Sequence, residues 1–231
     1  MQGEYLVVAM DPKPANTKTY HVFLASPGDV ADERQAVREF FAEFNRHTAP
    51  AWNARFELLD WEHYAHTGGD RPQKLITEQV LERHGESLVL TIVILGQRFG
   101  SPTGEYQSGT EEEYEWALHQ RQAHGFPEVK IFFRKYAGYT ESEDPDEIEA
   151  ALEQWRKVRA FRERIQKGDP PAFPKDYGDL AHFREVLRND LSLWLNDPER
   201  PWVASRTDTI SQEPAADQPP AEYFRALIED F

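Results

Sequence analysis

Leu88-Val-Leu-Thr-Ile-Val-Ile-Leu95 is apolar at every position except Thr91. A strand with one face in water alternates apolar and polar residues, and this run does not. Its continuity predicts a central parallel strand covered on both faces. Eight residues are too few to cross a bilayer.

Working outward, three further runs read as strands: Tyr20-His-Val-Phe-Leu-Ala25, Phe56-Glu-Leu-Leu-Asp-Trp61 and Val129-Lys-Ile-Phe-Phe133. Helical periodicity separates them. Val30, Val37, Phe40, Phe41 and Phe44 line one face of a helix that ends near Arg46. Leu75, Ile76, Val80 and Leu81 do so between Pro72 and His84, with Gly85 as C-cap. A third helix covers about 110–124. A long one opens at Asp144-Pro145 and carries Ile148, Leu152, Trp155, Val158, Phe161 and Ile165 as far as Gly168. A short edge strand is expected between Phe173 and Tyr177. A last amphipathic helix holds Leu180, Phe183, Leu187, Leu191 and Trp194. This alternation predicts an α/β fold with a five-stranded parallel sheet, order 2-1-3-4-5, and helices on both faces. Ligands of such sheets bind at the carboxyl ends of the strands, here the loops after Ala25, Trp61, Leu95 and Phe133.

The chain of 231 residues is long enough for one such domain with extensions. The expected divisions are a mobile arm over 1–18, the α/β domain over 19–203, a Ser/Thr/Asp/Pro-rich linker over 204–220, and a helical start over 221–231 that leads into a further module. A net charge of −15 disfavours general binding to nucleic acid or to anionic membrane. With no cysteine, disulfides and thiolate metal sites are excluded, which suits a reducing cytosol. The eight histidines lack H-x-H or H-E-x-x-H spacing, so no metal is expected. The N-terminal MQGEYLVVAM has no basic flank and does not read as a signal peptide.

The order HVFLASPGDVADER, VILGQRFG, SGTEEEYEWA, VKIFF resembles the TIR-like domains at the N-termini of bacterial proteins with a downstream NACHT-like NTPase module. The resemblance spans roughly residues 19–135, and the tail AEYFRALIEDF resembles the lead-in to such a module. It implies a flavodoxin-like TIR-type fold, a cytoplasmic place in bacterial antiviral defence, and self-association through this domain. Many TIR domains cleave NAD with a glutamate on the helix after the third strand, in the pattern aromatic-Cys-x-x-Glu-aliphatic-x-x-Ala. Residues Thr110 to Ala117 match it with Glu113 as the aligned acid. Thr110 stands at the Cys position, Gly109 at the aromatic and Tyr114 at the aliphatic one. No G-x-G-x-x-G or Walker A motif is present, so NAD is expected as a substrate and not as a held cofactor.

Glu113 is therefore the expected catalytic residue. Thr110-x-x-Glu113 also reads as a capping box, and Glu111 and Glu112 suit a helix N-terminus. Tyr114, Ala117 and Leu118 form the expected core face, with Glu113 at its border and Glu112 and Glu115 toward solvent. The substrate-binding residues expected around Glu113 are Ser26, Asp29, Trp61, Arg98, Phe99, Ser108 and Thr110. Ser26-Pro-Gly-Asp29 reads either as a helix cap or as a phosphate contact. In Gln97-Arg98-Phe99-Gly100 the arginine offers a cation for a diphosphate. The phenylalanine either stacks on ligand or packs on the sheet. Trp61 and Tyr64 either stack on a base or cover the core. Two other functions fit the same sequence: a non-enzymatic self-association module, and an N-glycosidic-bond transferase resembling nucleoside deoxyribosyltransferases.

Overall fold

The computed structural model describes residues 17–60, 87–135 and 142–203. Within them the chain runs β1 (Lys18–Ala25), α1 (Ala31–His47), β2 (Ala54–Asp60), β3 (Leu88–Leu95), α2 (Gly109–His124), β4 (Glu128–Arg134), α3 (Pro145–Gln166), β5 (Lys175–Tyr177) and α4 (Leu180–Leu195). The sheet order is β2-β1-β3-β4-β5 and every pairing is parallel. This is the α/β, flavodoxin-like arrangement expected from the sequence. Lys18, expected as the last residue of an arm over 1–18, pairs with Ala54 in β1, and residues 1–16 lie outside the described residues. The expected helix over 72–84, Trp61, Tyr64, the linker and the tail lie outside the described residues.

β3 sits third in the sheet and all eight of its residues are buried. Leu90, Ile92 and Ile94 face α1 and α4, where they meet Val37, Phe41, Phe183 and Leu187. Val93 and Leu95 face α2 and α3, where they meet Tyr114, Val158, Phe161 and Ile165. Helices on both faces leave no solvent-facing position on this strand, which explains a run that is apolar everywhere but at Thr91. One irregularity interrupts the alternation. His21 pairs with Leu88, but Val22 pairs with Leu90, so β3 carries an extra residue there. The bulge reverses the parity, placing Leu88 on the α2/α3 side and Val89 on the α1/α4 side.

The core on the α1/α4 side extends to Trp202, which is fully buried against Tyr20, Phe56 and Trp194. Its indole N–H donates to the Leu195 carbonyl at 2.8 Å, so burial leaves that donor satisfied. Salt bridges fasten the elements across layers. Arg162 on α3 clamps Asp176 on β5 through two bonds of 2.7 and 2.9 Å, and Lys130 on β4 meets Asp190 on α4 at 2.7 Å.

The outer edge of β2 is closed in a particular way. The Asn45 side chain on α1 accepts from the Phe56 N–H at 2.8 Å and donates to the Phe56 carbonyl at 2.6 Å. The carboxamide thus takes the position of a neighbouring strand's peptide group.

Thr91 is fully buried, and its hydroxyl has no partner among the described residues. Thr91→Val removes a buried unsatisfied hydroxyl and keeps the branched shape. We expect a gain of about 1 kcal/mol, or roughly 2–4 °C in melting temperature, measured by calorimetry against the parent chain.

Candidate functional site

At the carboxyl edge, β1 leaves the sheet at Ala25 and enters a short 3-10 turn, Gly28–Val30, before α1. The expected Ser26 cap does not form: Pro27 holds the cap position and no side chain caps the turn. Instead the buried Arg34 guanidinium folds back and donates to Ser26 Oγ at 3.3 Å and to the Pro27 carbonyl at 2.7 Å. Asp29 is not a cap either. Its Oδ2 accepts from the N–H groups of Gln97 and Arg98, at 2.8 and 3.1 Å, in the loop after β3. The approach is so close that a Cβ on Gly96 would lie 2.3 Å from that oxygen, so the position requires glycine.

The next two amides of the loop are held from the other side. Phe99 N–H and Gly100 N–H both donate to Gln154 Oε1 on α3, at 2.8 and 3.2 Å. Four successive N–H groups, 97 to 100, are therefore occupied by two protein side chains. Of the two readings of Phe99, the structure shows packing: its ring is buried against Phe161 at 5.5 Å between centroids. Arg98, by contrast, is exposed, with no carboxylate partner among the described residues.

Behind this loop lies a charged cluster that sequence reading missed. Glu33 is buried and ion-paired with Arg134 at the end of β4. Arg134 also donates to the Asp29 carbonyl at 3.4 Å. Burial, the largest single influence, works to lower the Arg134 guanidinium, but the bond and charge of Glu33 together with Tyr177 outweigh it, and the group is raised. The neighbouring Tyr177 phenol is held far above its ordinary value, first by burial and then by the Glu33 charge. The signal in the sequence was spacing: Val30, Glu33, Arg34 and Val37 share one helical face, so the two charges had to lie on the buried stripe.

α2 begins after Ser108, which is fully buried. Ser108 Oγ accepts from the Glu111 N–H at 3.1 Å, and Glu111 Oε2 accepts from the Gln107 N–H at 2.9 Å. The capping pair is thus Ser108 and Glu111, two residues before the expected Thr110 and Glu113. Thr110 is instead inside the first turn and buried. Glu113 lies with Thr110, Tyr114 and Ala117 on the inward face, and is only 4% exposed. Glu115 does not simply face solvent as expected. Arg164 on α3 donates to Glu115 Oε1 at 2.6 Å and to Glu111 Oε1 at 2.8 Å. This fork fixes the first two turns of α2 against α3, and so fixes which side faces in.

The residues brought to the carboxyl edge are thus Ser26, Asp29, Arg98, Ser108, Thr110 and Glu113. Of these, Ser26, Asp29 and Ser108 hold protein groups, Thr110 and Glu113 are buried on the inward face of α2, and the Arg98 side chain is exposed. Trp61 lies outside the described residues. Among the described residues no group of three or more His, Asp or Glu is arranged to hold a metal ion. Among them, too, no helix is long and apolar enough to cross a membrane.

Fold and edge together define a flavodoxin-like α/β domain with a buried acid on the helix that follows its central strand. Residues 21–192 match the family model described as "Domain of unknown function (DUF4062)", and the chain belongs to that family. No curated protein matches the chain.

Two expectations check this geometry. Asp29→Ala leaves the Gln97 and Arg98 amides without their acceptor. We expect a loss of about 1–3 kcal/mol and faster hydrogen exchange at those two amides, with Asp29→Asn less damaging. The Tyr114 phenol is pushed from its ordinary 10.0 up to about 12, first by burial and then by Glu115, against the pull of Arg164 and Arg121. A raised phenol favours the fold while it is protonated. Its contribution is whole below pH 10 and is lost as pH rises from 10 to about 12. Tyr114→Phe should therefore lose less melting temperature than the parent between pH 9 and pH 11, measured in the same buffers.

Proposed function

We propose that this domain is a TIR-like effector that hydrolyses NAD to nicotinamide and ADP-ribose when clustered. The observation that carries the reading is Glu113: a buried acid on the inward face of the first turns of α2, with the capping work done by Ser108 and Glu111. A carboxylate kept from water on the inward face of a helix suits a role in chemistry. The sequence resemblance aligns the same residue with the glutamate that TIR NAD-cleaving domains use.

The chemistry fits one carboxylate. The nicotinamide–ribose bond breaks with its electron pair going to nicotinamide, which leaves neutral. Positive charge develops on the ribose ring, and a fixed negative charge beside it lowers that barrier. Water then adds to the ribose carbon and releases a proton. Arg98, exposed at the same edge, supplies a cation for the diphosphate. In this reading the domain works in the cytoplasm of a bacterium, at the head of a longer defence protein. Its NTPase module gathers the copies, and neither nucleic acid nor membrane is a partner.

One observation favours the non-enzymatic alternative. All four amides from Gln97 to Gly100 are taken by Asp29 and Gln154, so that loop offers no main-chain cradle for phosphate. A module that signals only by self-association needs no such cradle.

The experiment compares the full chain fused to an oligomeric tag with its Glu113→Gln and Glu112→Gln forms, assayed with NAD and, separately, with a deoxynucleoside. Clustering should raise NAD turnover, and Glu113→Gln should lower it on the order of a hundredfold, or roughly 3 kcal/mol. Glu112→Gln should be near neutral. Clustered parent protein without NAD turnover favours the association module. Turnover of the deoxynucleoside alone favours the transferase.

A further inference from the structure

The loop after β3 presents one charged side chain, Arg98, from between residues that are all held down. Gly96 lies against the Asp29 carboxylate. Phe99 is buried against Phe161. Gly100 has a φ of +103°, which side chains rarely allow, and it approaches the cap of α2: a Cβ there would lie 3.3 Å from Ser108 Cβ. Of the five residues 96–100, Arg98 alone is exposed.

Gln154 supplies the bonds next to this side chain from α3. Its Oε1 accepts from both Phe99 N–H and Gly100 N–H. The buried positions of α3 begin one turn later, at Val158, so Gln154 continues the inward stripe of the helix just past the apolar core. The residue type matters. Without an acceptor here both amides lose their partner. Every charged residue from Glu143 to Glu153 is acidic, and Gln154 breaks that series with a neutral acceptor. A carboxylate at this place would offer the Arg98 guanidinium a counter-charge within the protein. The amide holds the loop and leaves the cation open.

We propose that Gln154 is a positioning residue for anion recognition: by holding the Phe99 and Gly100 amides it fixes where the Arg98 guanidinium stands, and so sets the affinity of this edge for a diphosphate. This rests on the NAD reading above and deepens it. With its four amides closed by protein side chains, the loop meets an anion through Arg98 and not through its main chain. A side chain on a fixed backbone loses less freedom on binding than one on a loose loop. The contact of Gly100 with Ser108 ties the same loop to the start of α2, and Glu113 stands five residues on, about 8 Å along the helix axis. Gln154 thereby also governs the spacing between the cation and the acid.

The test uses the full chain and ADP-ribose, the product that keeps the diphosphate, so that binding is read without turnover. Gln154→Met keeps the length of the side chain and removes the acceptor. Hydrogen exchange should quicken at the Phe99 and Gly100 amides, and calorimetric titration should show ADP-ribose binding about tenfold weaker. Gln154→Glu keeps an acceptor oxygen and should keep both amides protected. In an Arg98→Gln background, Gln154→Met should weaken binding by less than about twofold, because the group it positions is gone. In the clustered chain, Gln154→Met should raise KM for NAD about tenfold with kcat little changed. Parent protein that does not bind ADP-ribose up to millimolar concentration overturns the proposal. So does a Gln154→Met form that binds as the parent does, or one that loses as much affinity without Arg98 as with it, since Gln154 then serves the fold alone. A clustered parent that binds ADP-ribose with this dependence on Gln154 but leaves NAD intact overturns the hydrolase reading and supports this assignment.

Discussion

Burial of β3 on both faces is the constraint from which the rest of the molecule follows. A strand under helices on two sides favours apolar residues at nearly every position, and its neighbours run parallel because each returns through a crossover. That places α1 and α4 on one side and α2 and α3 on the other. It also fixes where the loops emerge, so the turn before α1, the loop after β3 and the start of α2 meet at a single edge. The bulge at Val22 and Leu90 shows how firmly this constraint holds: one inserted residue reverses the parity of Leu88 and Val89, and both still find apolar partners.

The edge is stiffened from two directions. Asp29 reaches over from the turn before α1 and Gln154 from α3, and together they hold a loop that has no hydrogen-bonded ladder of its own. Arg164, also from α3, holds Glu111 and Glu115. α3 therefore fixes both the loop before α2 and the turns that carry Glu113. These contacts hold the helix that carries Glu113 and so restrict where its side chain can lie.

Much of this was legible from sequence, because it depends on local pattern. The apolar run 88–95, the amphipathic stripes and the turn residues between them locate the elements to within a residue or two. The capping of α2 was less legible. Ser108-x-x-Glu111 and Thr110-x-x-Glu113 are nested copies of one signature, and only the extended backbone at Ser108 decides between them. Phe99 and Gln154 were not legible, since their partners come from distant parts of the chain. Glu33 and Arg34 stood in plain view on a buried stripe, but charge on a helix invites the reading of a solvated face.

The two long edges of the sheet are unlike. At β2, the Asn45 carboxamide occupies both main-chain groups of Phe56, in the middle of a seven-residue strand. That plug interrupts the ladder a neighbouring strand would need. Growth of a sheet from molecule to molecule requires an open edge at each end, and here one is stopped by a single side chain. A strand arriving at β2 would have to displace a side chain already bonded to both main-chain groups of Phe56, so Asn45 works against edge-to-edge association there.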